Sequence, residues 1–307
     1  MKTLSQHSFT KAGSFILKQA RPLEQRLFEY HFKDGPEEAV LAELGRYQND
    51  DGGFGRALEP DFRLQASSPL ATTVAMQRIR ELSLPPGHPI VQKALLYLIS
   101  TYDPQKGYWP AVPTEVNQVP HAPWWHFDEA EGKTAPETPA NPTAEIAGYL
   151  HAYPELIPAD FLADRTEFAL NHLLSQPDEM GMHDVFCFLR LAAELPEPAQ
   201  GMFMERLKRA IDKIVTRDPQ NWADYGPQPI MFVKSPDSPL AALLEEEIQA
   251  NLDYTIDTQN EDGSWSPNWS WGDNYPETWD QAKQEWQGIL TLENLRTLAA
   301  FGRIRSE

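Results

Sequence analysis

With a single cysteine, Cys187, the 307-residue chain can form no internal disulfide, and it has no Cys-x-x-Cys pair to seat a thiolate zinc site. No apolar run is long enough to cross a membrane, so no integral membrane segment is expected. Met1 to Ala20 lack the apolar core and small-residue cleavage site of an export signal. A reducing, cytoplasmic setting is the expectation. Basic residues are scarce: 26 Lys and Arg against 45 Asp and Glu leave a formal charge of -19. That balance repels phosphate backbones and anionic lipid surfaces and argues against nucleic acid as a partner. A phosphate-cradling loop is also missing, because Gly52-Gly53-Phe54-Gly55 is not followed by Lys-Ser or Lys-Thr. Strand-like alternation is confined to Ile230 to Val233, too brief to imply a sheet.

What is present is ordinary globular material, 41% hydrophobic and 23% charged, in helical periodicity. Val91, Ala94, Leu95 and Leu98 make one apolar stripe, and Phe203, Leu207, Ala210, Ile211 and Ile214 make another. Gly288, Leu292, Leu295 and Ala299 line one face of a terminal helix that Ile289, Leu290 and Leu298 make apolar on its other sides, so it is expected to be largely buried. The class is all-α. Ser68-Pro69, Asn141-Pro142 and Ser238-Pro239 each pair a capping side chain with a proline and predict three helix starts. Ahead of them lie turn-rich segments. One of these, Gln48-Asn49-Asp50-Asp51-Gly52-Gly53-Phe54, is echoed by Gln259-Asn260-Glu261-Asp262-Gly263-Ser264-Trp265, and Gly107-Tyr108-Trp109 and Met180-Gly181 mark weaker turns. Such self-similarity points to a repeated helix-turn-helix unit.

These turns, with Gln, then Asp-Gly, then Trp or Phe, resemble the repeats of the terpenoid cyclase and protein prenyltransferase superfamily. Ala71-Thr72-Thr73-Val74-Ala75 and Thr143-Ala144-Glu145-Ile146-Ala147 are similar to its small-residue inner helices. The resemblance implies an (α/α)6 toroid over residues 35–307, with residues 1–34 as a helical segment packed on the ring and a single domain overall. It implies an isoprenoid-like apolar ligand in an aromatic-lined cavity and room for a second copy or second helical subunit; because the zinc-holding pattern of the prenyltransferases is not matched, no metal is expected. Both catalytic signatures of the superfamily are incomplete. Gln48-Asn49-Asp50-Asp51 lacks the first carboxylate of Asp-x-Asp-Asp, and His183, Asp184 and Cys187 crowd onto one helical segment where Cys187 reads as a core thiol. No cofactor is expected.

The chemistry-bearing residues fall in three loops. His121 to Glu129 supplies Trp124, Trp125, His126 and Asp128, and reads in two ways: an Asp desolvated by indole faces would act as general acid while the rings stabilise a developing cation, or Asp128 to Glu131, with three carboxylates, is a solvated acidic loop carrying aromatic anchors. Glu59 and Asp61 come after the first turn and offer an acid–base pair, or exposed partners for Arg56 and Arg63. Trp269, Trp271, Asp273 and Tyr275 form the third cluster. Phe54 and Trp265, inside the turns, read as structural wedges. Aromatic plates with carboxylates equally describe a glycoside hydrolase or polysaccharide lyase cleft, and a non-catalytic ligand- or peptide-binding module is the third reading.

Overall fold

Proline opens four of the main helices in the computed structural model, which describes residues 1–305, because the amide that proline lacks has no helical acceptor in the first turn. Three helices lead the chain: α1 (Gln6–Gln19), α2 (Pro22–Phe32) and α3 (Glu37–Gly45). Six come next: α4 (Pro69–Glu81), α5 (Pro89–Ser100), α6 (Thr143–Ala152), α7 (Ala159–Ser175), α8 (Met182–Glu194) and α9 (Ala199–Ile214). The last are α10 (Pro229–Phe232), α11 (Glu245–Asp257) and α12 (Pro276–Ala300). Among the described residues the only sheet is an antiparallel pair, β1 (Phe127–Asp128) with β2 (Lys133–Thr134). The all-α expectation therefore stands. Among the described residues no helix is long and apolar enough to cross a membrane.

The chain divides into two compact units, Met1–Leu44 joined by the segment from Val215 onward, and Gly45–Ile214. The boundary expected at residue 35 falls inside the first. In that unit α1 packs on α12 and α2, and Ala20 lies so close to Gly288 that a Cβ there would sit 2.6 Å from the alanine methyl. The chain ends clasp one another: Leu4 pairs with Ile304, the amide of Leu4 donates to Arg303 O, and that of Arg305 donates to Leu4 O. Arg303, 2% exposed, bonds the carboxylate of Asp253 on α11 at 2.8 Å. Burial works against the Asp253 charge, yet the Lys2 amide and the Arg303 guanidinium together hold its carboxyl below the usual range.

In the second unit α6 is buried from Thr143 to Leu150 and packs chiefly on α8, which packs in turn on α9. Gly148 permits the approach, since a Cβ there would stand 2.9 Å from Leu191 Cα. One charge sits in this apolar helix. Glu145 accepts from Gln77 Nε2 (2.8 Å) and Tyr149 OH (2.5 Å) on one oxygen and from Arg190 NH1 (3.0 Å) on the other, so every face of the buried carboxylate is answered. Cys187 faces the same group at 3.8 Å and Asn141 Oδ1 at 3.5 Å. Burial pushes its thiol well up, and beside it the carboxylate does the same, as befits a core thiol.

The repeated turns are held alike. Gln48 Nε2 donates to Gly52 O and to Ile90 O near the start of α5; Gln259 Nε2 donates to Gly263 O and to Ser8 O near the start of α1. Gly52 (φ 90°) and Gly263 (φ 93°) occupy a backbone region that glycine tolerates, where a Cβ would lie 2.5 Å from the main chain of Lys93 and of Lys11. The amides of the wedges Phe54 and Trp265 donate to Thr72 Oγ1 and Thr291 Oγ1, both at 3.0 Å. A third turn repeats this ending, with the Trp109 amide on Thr143 Oγ1 at 3.0 Å.

Some local expectations are revised. Ser68 caps α4 as its sequence pattern predicts, but Asn141 does not cap α6: its side chain bonds Pro136 O, and the helix starts at Thr143. Ser238 opens only a short turn, and α11 begins at Glu245. The apolar run after Gln228 is the short helix α10, and Trp279 lies in the first turn of α12. That terminal helix is buried at Gly288, Ile289, Leu292, Leu295 and Leu298, while Ala299 is exposed.

Candidate functional site

After the first turn the chain makes a tight return through Arg56 and Ala57, both at positive φ, with the Ala57 amide on Leu64 O at 3.2 Å. Arg56 is spent on the turn itself, bonding Asn49 Oδ1 and Arg46 O. The return carries Glu59 and Asp61 inward, 9% and 5% exposed, and lays Asp61 to Arg63 beside Pro120 to Ala122. The Ala122 amide donates to Asp61 O at 2.7 Å, the Arg63 amide to Pro120 O at 2.9 Å, and Phe62 bridges to His121. Two of the three loops singled out in the sequence thus meet in the Gly45–Ile214 unit.

Beyond this seam a short turn, Pro123–Trp125, places the Trp125 ring edge-on to Phe62 with centroids 5.8 Å apart. The two imidazoles stack at 5.5 Å, with His121 Nε2 3.2 Å from His126 Nδ1. His121 Nδ1 lies 2.7 Å from Val119 O, which only accepts, so that nitrogen carries the hydrogen. An unprotonated His121 Nε2 would accept from His126 Nδ1 at this distance, leaving Nε2 of the exposed His126 ring as the remaining acceptor.

The tryptophans separate into two kinds. Trp109, Trp222 and Trp265 are buried and donate their indole N–H to Leu98 O, Thr216 O and Thr255 O at 2.5, 2.7 and 2.7 Å. Trp125 and Trp269 bury the same N–H with no partner among the described residues. An orphaned buried donor costs about 1–3 kcal/mol, so these two rings are held in place against a penalty.

The other candidate residues stand apart from this cluster in character. Asp128 is exposed, and its Oδ1 caps the β1–β2 turn by accepting from the amides of Ala130 and Glu131 at 2.8 and 3.1 Å. The desolvation that a general acid at this position requires is absent, because the hairpin turns the carboxylate to solvent. Trp124 is half-buried. The third loop belongs to the other unit. There Trp269 stands edge-on to Tyr225 and Trp286, at 5.8 and 5.1 Å, while Trp271 is fully buried against Trp279 as core. Asp273 is exposed, and Tyr275, 43% exposed, sits left-handed at the head of α12.

Sequence reasoning underrates His121, buried at 5%, and passes over Glu145. The signal for Glu145 is legible: one carboxylate in an otherwise apolar, small-residue helix must be paired. Among the described residues no group of three or more His, Cys, Asp or Glu side chains is arranged to hold a metal ion. Neither a family model nor a curated protein matches this chain.

Proposed function

We propose that the chain is a divergent helical-repeat protein of the terpenoid cyclase and prenyltransferase type, its hairpins those of an (α/α)6 ring, and that the Glu59–Asp61/His121–His126 junction is its reactive site. The observation carrying this reading is the burial of two carboxylates on a segment bonded directly to the segment of His121, next to an indole whose N–H has no partner among the described residues. In these roles Asp61 or Glu59 holds and delivers a proton, the exposed His126 Nε2 receives one, and Trp125 packs on the substrate. Of the substrate classes raised by the sequence, a hydroxylated one, as in glycosidic cleavage, agrees best with the imidazoles and carboxylates gathered at this junction. An isoprenoid-like substrate is the second reading, favoured by the Trp125–Phe62 aromatic pair. Asp128 has no part in the chemistry.

The test is product analysis by mass spectrometry after incubation with a panel of oligosaccharides and linear polyprenyl substrates. Asp61→Asn and Glu59→Gln are expected to lower turnover roughly a hundredfold or more for the acid, and Asp128→Asn to leave it unchanged. No turnover of either class, with ligand quenching of Trp125 fluorescence retained, would replace the enzyme by a binding module.

A further inference from the structure

His121 and His126 stand five residues apart on either side of the Pro123–Trp125 turn, and the chain around each is pinned. The His121 segment is bonded to Asp61–Arg63, and the His126 amide closes the turn on Pro123 O at 3.3 Å. Asn117 clamps the next residue, donating from Nδ2 to Phe127 O at 2.9 Å and accepting at Oδ1 from the Phe127 amide at 2.8 Å. These bonds fix where the two imidazoles meet. Their planes lie within 17° of one another, and the 5.5 Å between centroids is close to the 3.2 Å between His121 Nε2 and His126 Nδ1 plus a ring radius at each end. The rings therefore meet nitrogen to nitrogen, along the direction in which an imidazole donates and accepts.

That contact needs one hydrogen, and the surroundings decide which ring supplies it. Val119 O, 2.7 Å from His121 Nδ1, can only accept, so the hydrogen of a neutral His121 sits on Nδ1 and its Nε2 presents a lone pair. His121 is 5% exposed, which leaves solvent little part in that choice. His126 differs: its ring is exposed, and a neutral imidazole in water holds its hydrogen mainly on Nε2. Left to that preference, His126 would turn a bare Nδ1 toward the lone pair of His121 and keep no outward acceptor. Two acceptors 3.2 Å apart repel, whereas a hydrogen on His126 Nδ1 makes the bond.

We infer that His121 is a positioning residue that sets the tautomer of His126, holding its hydrogen on Nδ1 so that Nε2 is the bare nitrogen. His121 touches no reacting atom in this role. The role rests on the reading of His126 Nε2 as the group that receives a proton; the tautomer itself rests only on the geometry. When a hydroxyl or a water gives its proton to Nε2, the O–H bond breaks, the electron pair stays on oxygen, and His126 becomes an imidazolium. Its Nδ1–H bond to His121 is then charge-assisted, so the acceptor that orients the base also steadies its charged form.

The experiment is a long-range proton–nitrogen correlation spectrum of the full chain carrying isotope-labelled histidine, recorded at about pH 8.5, roughly two units above the usual imidazole value of about 6.5. A protonated ring nitrogen and a bare one resonate far apart, and His126→Asn identifies the His126 signals. Wild type is expected to show His126 protonated at Nδ1 and bare at Nε2. His121→Phe keeps a ring and removes the acceptor, so the His126 hydrogen is expected to move to Nε2. His121→Gln, whose Oε1 accepts near the place of Nε2, is expected to keep it on Nδ1. In turnover assays His121→Phe is expected to lower kcat roughly tenfold or more with KM little changed. A chain that shows these tautomers yet turns over neither substrate class would sink the proposed reaction and leave the tautomer assignment standing. His126 bare at Nδ1 in the wild type, both its nitrogens protonated at this pH, an unshifted hydrogen in a folded His121→Phe, or its loss from Nδ1 in His121→Gln would each overturn the inference. Where His121→Phe does not fold, the wild-type and His121→Gln spectra decide.

Discussion

The two repeat turns, one in each unit, are built from the same bonds and lead into different chemistry. In both, a glutamine amide ties the glycine carbonyl to the head of a helix, an aspartate caps the next amide, and a threonine hydroxyl receives the wedge residue. They differ in how the aspartate is steadied, by the distant Ser67 in the first and by the adjacent Ser264 in the second, each at 2.7 Å. The greater difference lies in the chain just past each turn. The first exits into a return that buries two carboxylates; the second exits into an indole-rich loop whose Asp273 stays in solvent. The turn is scaffold, and the stretch after it is where this chain varies what it presents.

The largest expected effect tests the claim that the two turns are equivalent. Gly52→Ala and Gly263→Ala each force an L side chain into positive φ and drive its Cβ to 2.5 Å from backbone that cannot retreat. Each is expected to cost about 3 kcal/mol or more, read from urea unfolding. A loss at one glycine only would mean that the sequence echo hides two different turns. Next comes the wedge. Thr72→Val removes the acceptor for the buried Phe54 amide and is expected to cost about 1–3 kcal/mol, with Thr291→Val alike through the Trp265 amide.

Much of this architecture is legible in the sequence because it is local. Asp51-Gly52 and Asp262-Gly263 announce tight turns by chemistry that acts within a few residues, and the stripes on α5 and α9 announce helices by spacing. The site is legible only in its parts. Glu59, Asp61, Trp125 and His126 stand out singly, but the pairing of Asp61–Arg63 with Pro120–Ala122 spans roughly sixty residues and leaves no periodic trace. Asp128 is ambiguous for the same reason: its sequence neighbours suit indole walls or a solvated loop, and the two-residue pairing with Lys133–Thr134 turns its carboxylate outward as a cap, in agreement with the second. Asn141 misleads because a side chain that suits a helix cap can equally bond the loop behind it.

The contrast between satisfied and orphaned indoles gives a smaller effect with opposite expected signs. Trp265→Phe removes the 2.7 Å bond to Thr255 O and leaves that carbonyl only the longer bond from Thr258 Oγ1, for a cost of about 1–2 kcal/mol including lost packing. Trp125→Phe removes a donor that bonds nothing, so stability is expected to stay level or rise by up to about 1 kcal/mol, while ligand binding at the junction weakens. A clear destabilisation by Trp125→Phe would strip the indole of its functional role and return it to the core.

The smallest effect is in acid, and it separates the units. His151 and His172 lie in the Gly45–Ile214 unit, and burial lowers both below the ordinary imidazole range, against weaker upward pulls from Glu194 and Asp184. Folded chains then hold fewer protons there than unfolded ones, so this unit loses stability as pH drops from the usual imidazole value of about 6.5 towards the lowered ones. Asp184 works the other way. Burial raises its carboxyl despite the Thr138 bond, so the folded state takes its proton first and recovers part of the loss as pH approaches the ordinary carboxylate range. In the unit closed by the chain ends, the shift belongs to Asp253 and is downward, so its contribution stays intact until pH falls below the unfolded carboxylate value of about 3.9. Hydrogen exchange measured residue by residue, corrected for intrinsic rates, is expected to show α7 and α8 losing protection between about pH 7 and 5.5 while α11 keeps it. Protection lost together in α8 and α11, or an acid response unchanged in His151→Asn with His172→Asn, would mean that these imidazoles do not set the difference between the units.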